Sequence, residues 1–143
     1  MNILLVAVNA KYIHSNLAVY SLKAYAETVV QAEIEIAEYT INQYVDDILQ
    51  EIYARKPDML AFSCYIWNIT VVEQLIRELY KLLPGVPIWV GGPEVSYRAK
   101  AMLEQFPQLT GVMRGEGERI FANVVKAYTK EIRDFSEILG ITY

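Results

Sequence analysis

The sequence predicts a three-layer α/β/α fold around a five-stranded parallel sheet. Three observations carry that expectation. Short apolar runs of strand length alternate with longer stretches of helical period through the chain. The first run, residues 2–8, is continuously apolar, as a parallel strand buried on both faces requires. Pro57 and Pro84-Gly85 punctuate the alternation where helices must end.

Each element follows in order. Residues 17–30 carry Leu17, Val19, Tyr20, Leu22, Ala24 and Tyr25 at helical spacing. Residues 32–39 alternate Ile34 and Ile36 with Glu33, Glu35 and Glu38, a period-two strand with a wetter face suited to a sheet edge. Residues 45–54 form a helix with Ile48, Leu49, Ile52 and Tyr53 on one side. The third strand is 58–63. The next helix starts near Asn68, with Thr70 and Glu73 fitting a capping box and Val72, Leu75, Ile76 and Leu79 as its stripe. Residues 87–90 form a short fourth strand running into Gly91-Gly92. A helix over 96–106, a fifth strand over 109–113 and a helix over 118–128 complete the pattern. Five strands alternating with five helices imply right-handed crossovers and the flavodoxin-like, or Rossmann-like, order 2-1-3-4-5. Residues 1–130 form this domain. Residues 131–143 differ, with Phe135, Ile138, Leu139 and Ile141 apolar but lacking a helical face. They are expected either to cap the domain or to start a connection to another one.

Composition removes several function classes. The 143 residues are 54% hydrophobic and 21% charged, which supplies a core and argues against disorder. A net charge of −4 offers no footprint for nucleic acid. No apolar run reaches the length of a membrane span, and the first residues lack a basic segment, so a cytoplasmic protein is expected. The single cysteine, Cys64, excludes an internal disulfide and an iron–sulfur cluster built by this chain.

In an open parallel sheet, ligands bind beyond the carboxyl ends of the strands. Four loops therefore hold the candidate binding residues. After strand one comes Asn9-Ala10-Lys11-Tyr12-Ile13-His14-Ser15-Asn16, which carries the chain's one histidine. His14 either contacts a ligand or sits at a solvated loop tip, and Ser15 or Asn16 suits a helix N-cap. After strand three comes Ser63-Cys64-Tyr65-Ile66-Trp67-Asn68. A Trp here either stacks on a flat ligand or covers the core rim. After strand four, Gly91-Gly92-Pro93-Glu94 permits positive φ and close approach of a ligand to backbone. After strand five, Arg114-Gly115-Glu116-Gly117-Glu118 places amides and carboxylates at a helix start. Its two acids argue against phosphate and for a helix cap with a hydrogen-bonding acid.

Taken together, Ser63-x-Tyr65 with Trp67-Asn68, Gly91-Gly92-Pro93-Glu94 and Gly115-Glu116-Gly117-Glu118 resemble the N-terminal cobalamin-binding domain of the cobalamin-dependent radical S-adenosylmethionine enzyme family. The resemblance spans essentially the whole chain. It implies that Ser63 hydrogen-bonds the base of the nucleotide tail and that Gly91 and Gly92 let the tail pass close to strand four. Tyr65, Trp67 and Asn68 would lie near the corrin, with Pro93 and Glu94 in the same loop as the glycine pair. The loop 9–16, with Asn9, Lys11, His14, Ser15 and Asn16, would form the lower face, and Gly115 and Glu116 the pocket edge. It also implies a C-terminal radical S-adenosylmethionine domain in the same protein, with a CxxxCxxC motif, a 4Fe–4S cluster and S-adenosylmethionine. The commonest outcome there is methyl transfer from methylcobalamin. None of those catalytic or cluster-binding residues lies in this chain, which reads as a binding module.

The histidine-ligated branch of cobalamin domains carries DxHxxG after strand one. Here Tyr12-Ile13-His14-Ser15-Asn16-Leu17 keeps the histidine and lacks the aspartate and glycine. Without the aspartate nothing fixes the imidazole, so His14 is expected not to ligate cobalt, which gives a base-off, histidine-off site. The competing expectation is a cofactor-free domain of the same kind of enzyme that serves interaction or substrate positioning. An FMN site lacks its glycine-bearing phosphate loop, and a receiver domain lacks its acids, having Asn9, Ser63 and Arg114 instead.

Overall fold

The computed structural model describes residues 1–10 and 17–143. A six-stranded sheet of order β2-β1-β3-β4-β5-β6 forms its centre. The strands are β1 (Asn2–Asn9), β2 (Glu33–Thr40), β3 (Met59–Ser63), β4 (Ile88–Gly91), β5 (Gly111–Met113) and β6 (Ile141–Thr142). The first five run parallel in the expected order, and β6 is antiparallel to β5. The helices are α1 (Leu17–Val29), α2 (Val45–Arg55), α3 (Ile69–Leu82), α4 (Pro93–Ser96), α5 (Ala99–Gln105) and α6 (Gly117–Thr129).

Strand order reverses between β1 and β3, so right-handed crossovers divide the helices between the two faces. On one face α1 and α6 cover Ile3, Leu5, Ala61, Trp89 and Met113. On the other, residues of α2, α3, α4 and α5 pack on Leu4, Val6, Leu60, Phe62, Val90 and Val112. Residues of β1 alternate between these two cores, which is why its sequence is apolar throughout. β2 lies at the sheet edge, as its alternation requires, and its Glu35 meets Arg55 at 3.5 Å.

Three features depart from the sequence expectation. The helix expected over 96–106 is two pieces. Pro93 opens α4 directly after Gly92, and Tyr97 and Arg98 interrupt it before α5. The capping box does not form. Asn68 is the N-cap of α3, Thr70 lies inside the helix, and no side chain caps the N-terminus. Residues 131–143 fold back, and β6 adds a sixth strand by pairing Ile141 with Met113. Phe135 is buried edge-on against Trp89, with ring centroids 5.5 Å apart, and the Trp89 indole N–H donates to the Tyr128 hydroxyl at 2.9 Å. Gly111 admits that indole, since a Cβ there would lie 2.5 Å from its ring. Among the described residues no helix is long and apolar enough to cross a membrane.

Candidate cofactor-binding site

A cavity of about 680 Å³ opens at the carboxyl end of the sheet, on the face that carries α1 and α6. The strand register explains its shape. On this face the rim row runs Ala7, Ser63, Gly91, Met113 from β1 to β5. The next row inward contains Leu5, Ala61, Trp89 and Gly111. Gly91 therefore leaves a notch between Ser63 and Met113. A Cβ built there meets Met113 Cβ at 3.5 Å, an ordinary contact, so the backbone tolerates a side chain and only the cavity would lose space. Ala18 and Leu22 of α1 and Phe121 of α6 wall the slot opposite the sheet.

Ser63 lies on this rim, 8% exposed, and its hydroxyl has no partner among the described residues. The other polar side chains at the cavity belong to residues beyond the strand ends: Tyr65, Ser96, Tyr97, Arg114 and Glu118. Ser96 is engaged, since its hydroxyl donates to the Gly92 carbonyl at 2.8 Å and accepts from Gly115 N–H at 3.4 Å. The arrangement suits a flat, largely apolar group with one hydrogen-bonding atom, entering from a polar rim.

The expected site residues divide. Ser63, Tyr65, Gly91, Gly92, Pro93 and Gly115 line the cavity. Lys11, His14, Ser15 and Asn16 lie outside the described residues. Asn9 is not at the cavity wall; its amide donates to Glu38 at 3.2 Å, beside the 2.7 Å bond from the Tyr20 hydroxyl to the same carboxylate. That bond holds the Tyr20 phenol above its ordinary pKa. Trp67 stands behind Tyr65, stacked at 4.4 Å between centroids with the rings 5° from parallel. Glu94 pairs with Arg98 at 3.8 Å, and Glu116 is exposed at the N-cap of α6.

Asn68 is fully buried and does not face the cavity. Its amide nitrogen donates to the Val8 and Ser63 carbonyls, each at 3.0 Å, and its oxygen accepts from Tyr65 N–H at 2.8 Å. It is a clamp that ties β1, β3 and the loop carrying Tyr65. Asn68→Ala would leave two buried carbonyls and one half-buried N–H unpaired and is expected to cost about 3 kcal/mol. Urea unfolding should show a lowered midpoint at unchanged slope, and the near-ultraviolet dichroism of the Tyr65–Trp67 stack should weaken. An unchanged midpoint would mean that water replaces the amide.

Gly92 takes the positive φ that the glycine pair permits. Its φ of +106° and a Cβ position 2.5 Å from the Cys64 carbonyl oxygen make it a requirement of the turn, although it lines the cavity as well. Burial raises the Cys64 thiol far above its ordinary pKa, so it stays neutral near pH 7. No group of His, Cys, Asp and Glu that could hold a metal occurs among the described residues. The sequence did not reveal Leu5, Ala18, Leu22, Ala61, Met113 or Phe121 as cavity residues. Most of them are apolar at core-like spacing, with no local mark to separate a slot wall from a packed core.

A family profile described as the B12 binding domain matches residues 3–125. The chain is 32% identical over 90 residues to the cobalamin-dependent radical SAM methyltransferase TokK of Streptomyces tokunonensis, covering 61% of this chain and 13% of that protein. It is 29% identical over 125 residues to a 2-(S-pantetheinyl)-carbapenam-3-carboxylate methyltransferase of Streptantibioticus cattleyicolor, covering 85% and 18%. The chain thus spans less than a fifth of the length of these relatives. Among solved structures, the radical S-adenosylmethionine methyltransferase TsrM of Kitasatospora setae, with cobalamin and a 4Fe–4S cluster bound, superposes with a TM-score of 0.82. The match covers 98% of this chain and 26% of that one at 22% identity, so it speaks for the fold. The match over residues 3–125 reaches all five parallel strands and nearly all of the residues that line the cavity, and by it this chain belongs to the B12-binding domain family.

Proposed function

We propose that this chain binds cobalamin, base-off and histidine-off, as the N-terminal module of a radical S-adenosylmethionine methyltransferase. The observation that carries the proposal is the notch at Gly91 beside the unpartnered Ser63 hydroxyl, opening into an apolar slot. A benzimidazole nucleotide tail matches that cradle. It is flat and apolar, and its free ring nitrogen accepts one hydrogen bond, which Ser63 would donate. Ala18, Leu22, Met113 and Phe121 would hold the base, and Tyr65, with Trp67 stacked behind it, would border the corrin at the rim. Asn68 would hold that loop in place. When bound, the cofactor supplies a transferable methyl group on cobalt. The chain's own part is to grip the tail and leave the opposite corrin face open to a second domain. The resemblance assigns that domain, with its cluster and S-adenosylmethionine, to the C-terminal side of residues 131–143.

The test is hydroxocobalamin mixed with the chain and passed over gel filtration. Co-elution with a base-off spectrum is expected. In bound cob(II)alamin, electron paramagnetic resonance should show no nitrogen splitting that His14→Ala removes. Free elution of the corrinoid at concentrations well above micromolar would favour the cofactor-free reading. A splitting lost in His14→Ala would establish ligation.

A further inference from the structure

We infer that the slot selects among corrinoids by the base that ends the tail, accepting a benzimidazole and rejecting a purine. The inference rests on the reading that the tail enters the slot. It deepens that reading by naming the class of corrinoid.

The argument is one of hydrogen-bond accounting. Leu5 and Ala61 lie one strand repeat inward from Ala7 and Ser63, so a base that reaches past the Ser63 hydroxyl toward them meets apolar side chains. Met113 flanks it on the β5 side, and Leu22 and Phe121 face it from the helices. Among the described residues that line the cavity, Ser63 supplies the one hydroxyl carried by a strand, and the remaining polar side chains come from beyond the strand ends. Ladder bonds already use the strand amides and carbonyls of β1, β3 and β4 here.

A benzimidazole has a single free ring nitrogen, and the Ser63 hydroxyl can donate to it. Its six-membered ring is hydrocarbon and matches the walls. Adenine offers the same imidazole nitrogen but adds two ring acceptors and an exocyclic amine on its six-membered ring. Those groups would be stripped of water against Leu5, Ala61, Leu22 and Met113 with nothing to bond. Such burial without partners weakens binding by roughly ten- to a hundredfold. Both bases are planar bicycles of similar outline, so the selection is by polarity.

The experiment measures affinity of the chain for three ligands, by Trp fluorescence quenching and by equilibrium dialysis read in the visible. The ligands are hydroxocobalamin, its adenine-tailed analogue and cobinamide, which has no base. Hydroxocobalamin should bind best, with the adenine analogue roughly ten- to a hundredfold weaker. Met113→Gln, close to isosteric, should narrow the ratio between the two tailed ligands by roughly fivefold by giving the purine a partner. Leu22→Gln on α1, where the side chain is half-buried, serves as the second variant should Met113→Gln fail to fold. Equal affinity for the two tailed ligands overturns the inference and leaves cobalamin binding intact. Cobinamide as tight as hydroxocobalamin overturns it as well, because the base would then lie outside the slot. If none of the three binds, the cobalamin reading falls, and the inference with it.

Discussion

Gly91→Val is expected to leave the domain folded and to weaken cobalamin binding by roughly a hundredfold. Gly91 sits in the rim row between Ser63 and Met113, in ordinary strand conformation. A Cβ there meets Met113 Cβ at 3.5 Å and Cε at 3.8 Å, contacts that any core residue makes. Valine is also a good strand residue, so neither backbone nor packing opposes the change. What it removes is the notch through which a tail would reach the slot. Far-ultraviolet dichroism and the urea midpoint should match the parent within about 1 kcal/mol, and dialysis should show the lost affinity. Retained affinity in a folded variant would place the tail elsewhere.

Gly92→Ala is expected to do the opposite, costing about 3 kcal/mol or more of stability before any ligand is considered. Gly92 has φ +106° and ψ 172°, a region closed to side chains, and it precedes Pro93 at the start of α4. A Cβ would lie 2.5 Å from the Cys64 carbonyl oxygen and 2.9 Å from its nitrogen. Those are backbone atoms of the neighbouring strand end, whose N–H is already bonded to the Gly91 carbonyl at 2.7 Å, so they cannot yield cheaply. Urea unfolding should show a large loss for Gly92→Ala and almost none for Gly91→Ala. If the two variants were equally stable, the turn at Gly92 would be more pliable than this geometry allows. The contrast also means that a binding defect in a Gly92 variant reports on folding, and Gly91 is the position that interrogates the tail.

Much of the fold was legible because buried parallel strands and amphipathic helices leave period in the chain. The five parallel strands and their order follow from that alternation. β6 did not, because two residues carry no period, and what makes them a strand is the free edge of β5. The broken helix at 97–98 escaped for a related reason. Met102, Leu103 and Phe106 keep helical spacing in the second piece, and Tyr97-Arg98 carries no Pro or Gly to mark the break before it.

The one-dimensional pattern was enough for the α/β architecture, for the end of the sheet where the cavity opens, and for Ser63, Tyr65, Gly91, Gly92, Pro93 and Gly115 as residues at that end. What each of them touches depends on contacts made in three dimensions. Gly91 and Gly92 are adjacent and identical in the sequence, yet one is a notch and the other a strained turn, because their neighbours are a Met113 side chain and the Cys64 backbone. Asn68 reads as a polar loop residue and is a buried clamp, because Val8 and Ser63 present their carbonyls to it from two strands far apart in the chain. The walls of the slot, Leu5, Ala61, Leu22, Met113 and Phe121, are ordinary core residues in one dimension. They become cavity walls only where Ala18, Leu22 and Phe121 of α1 and α6 face a strand position with no side chain.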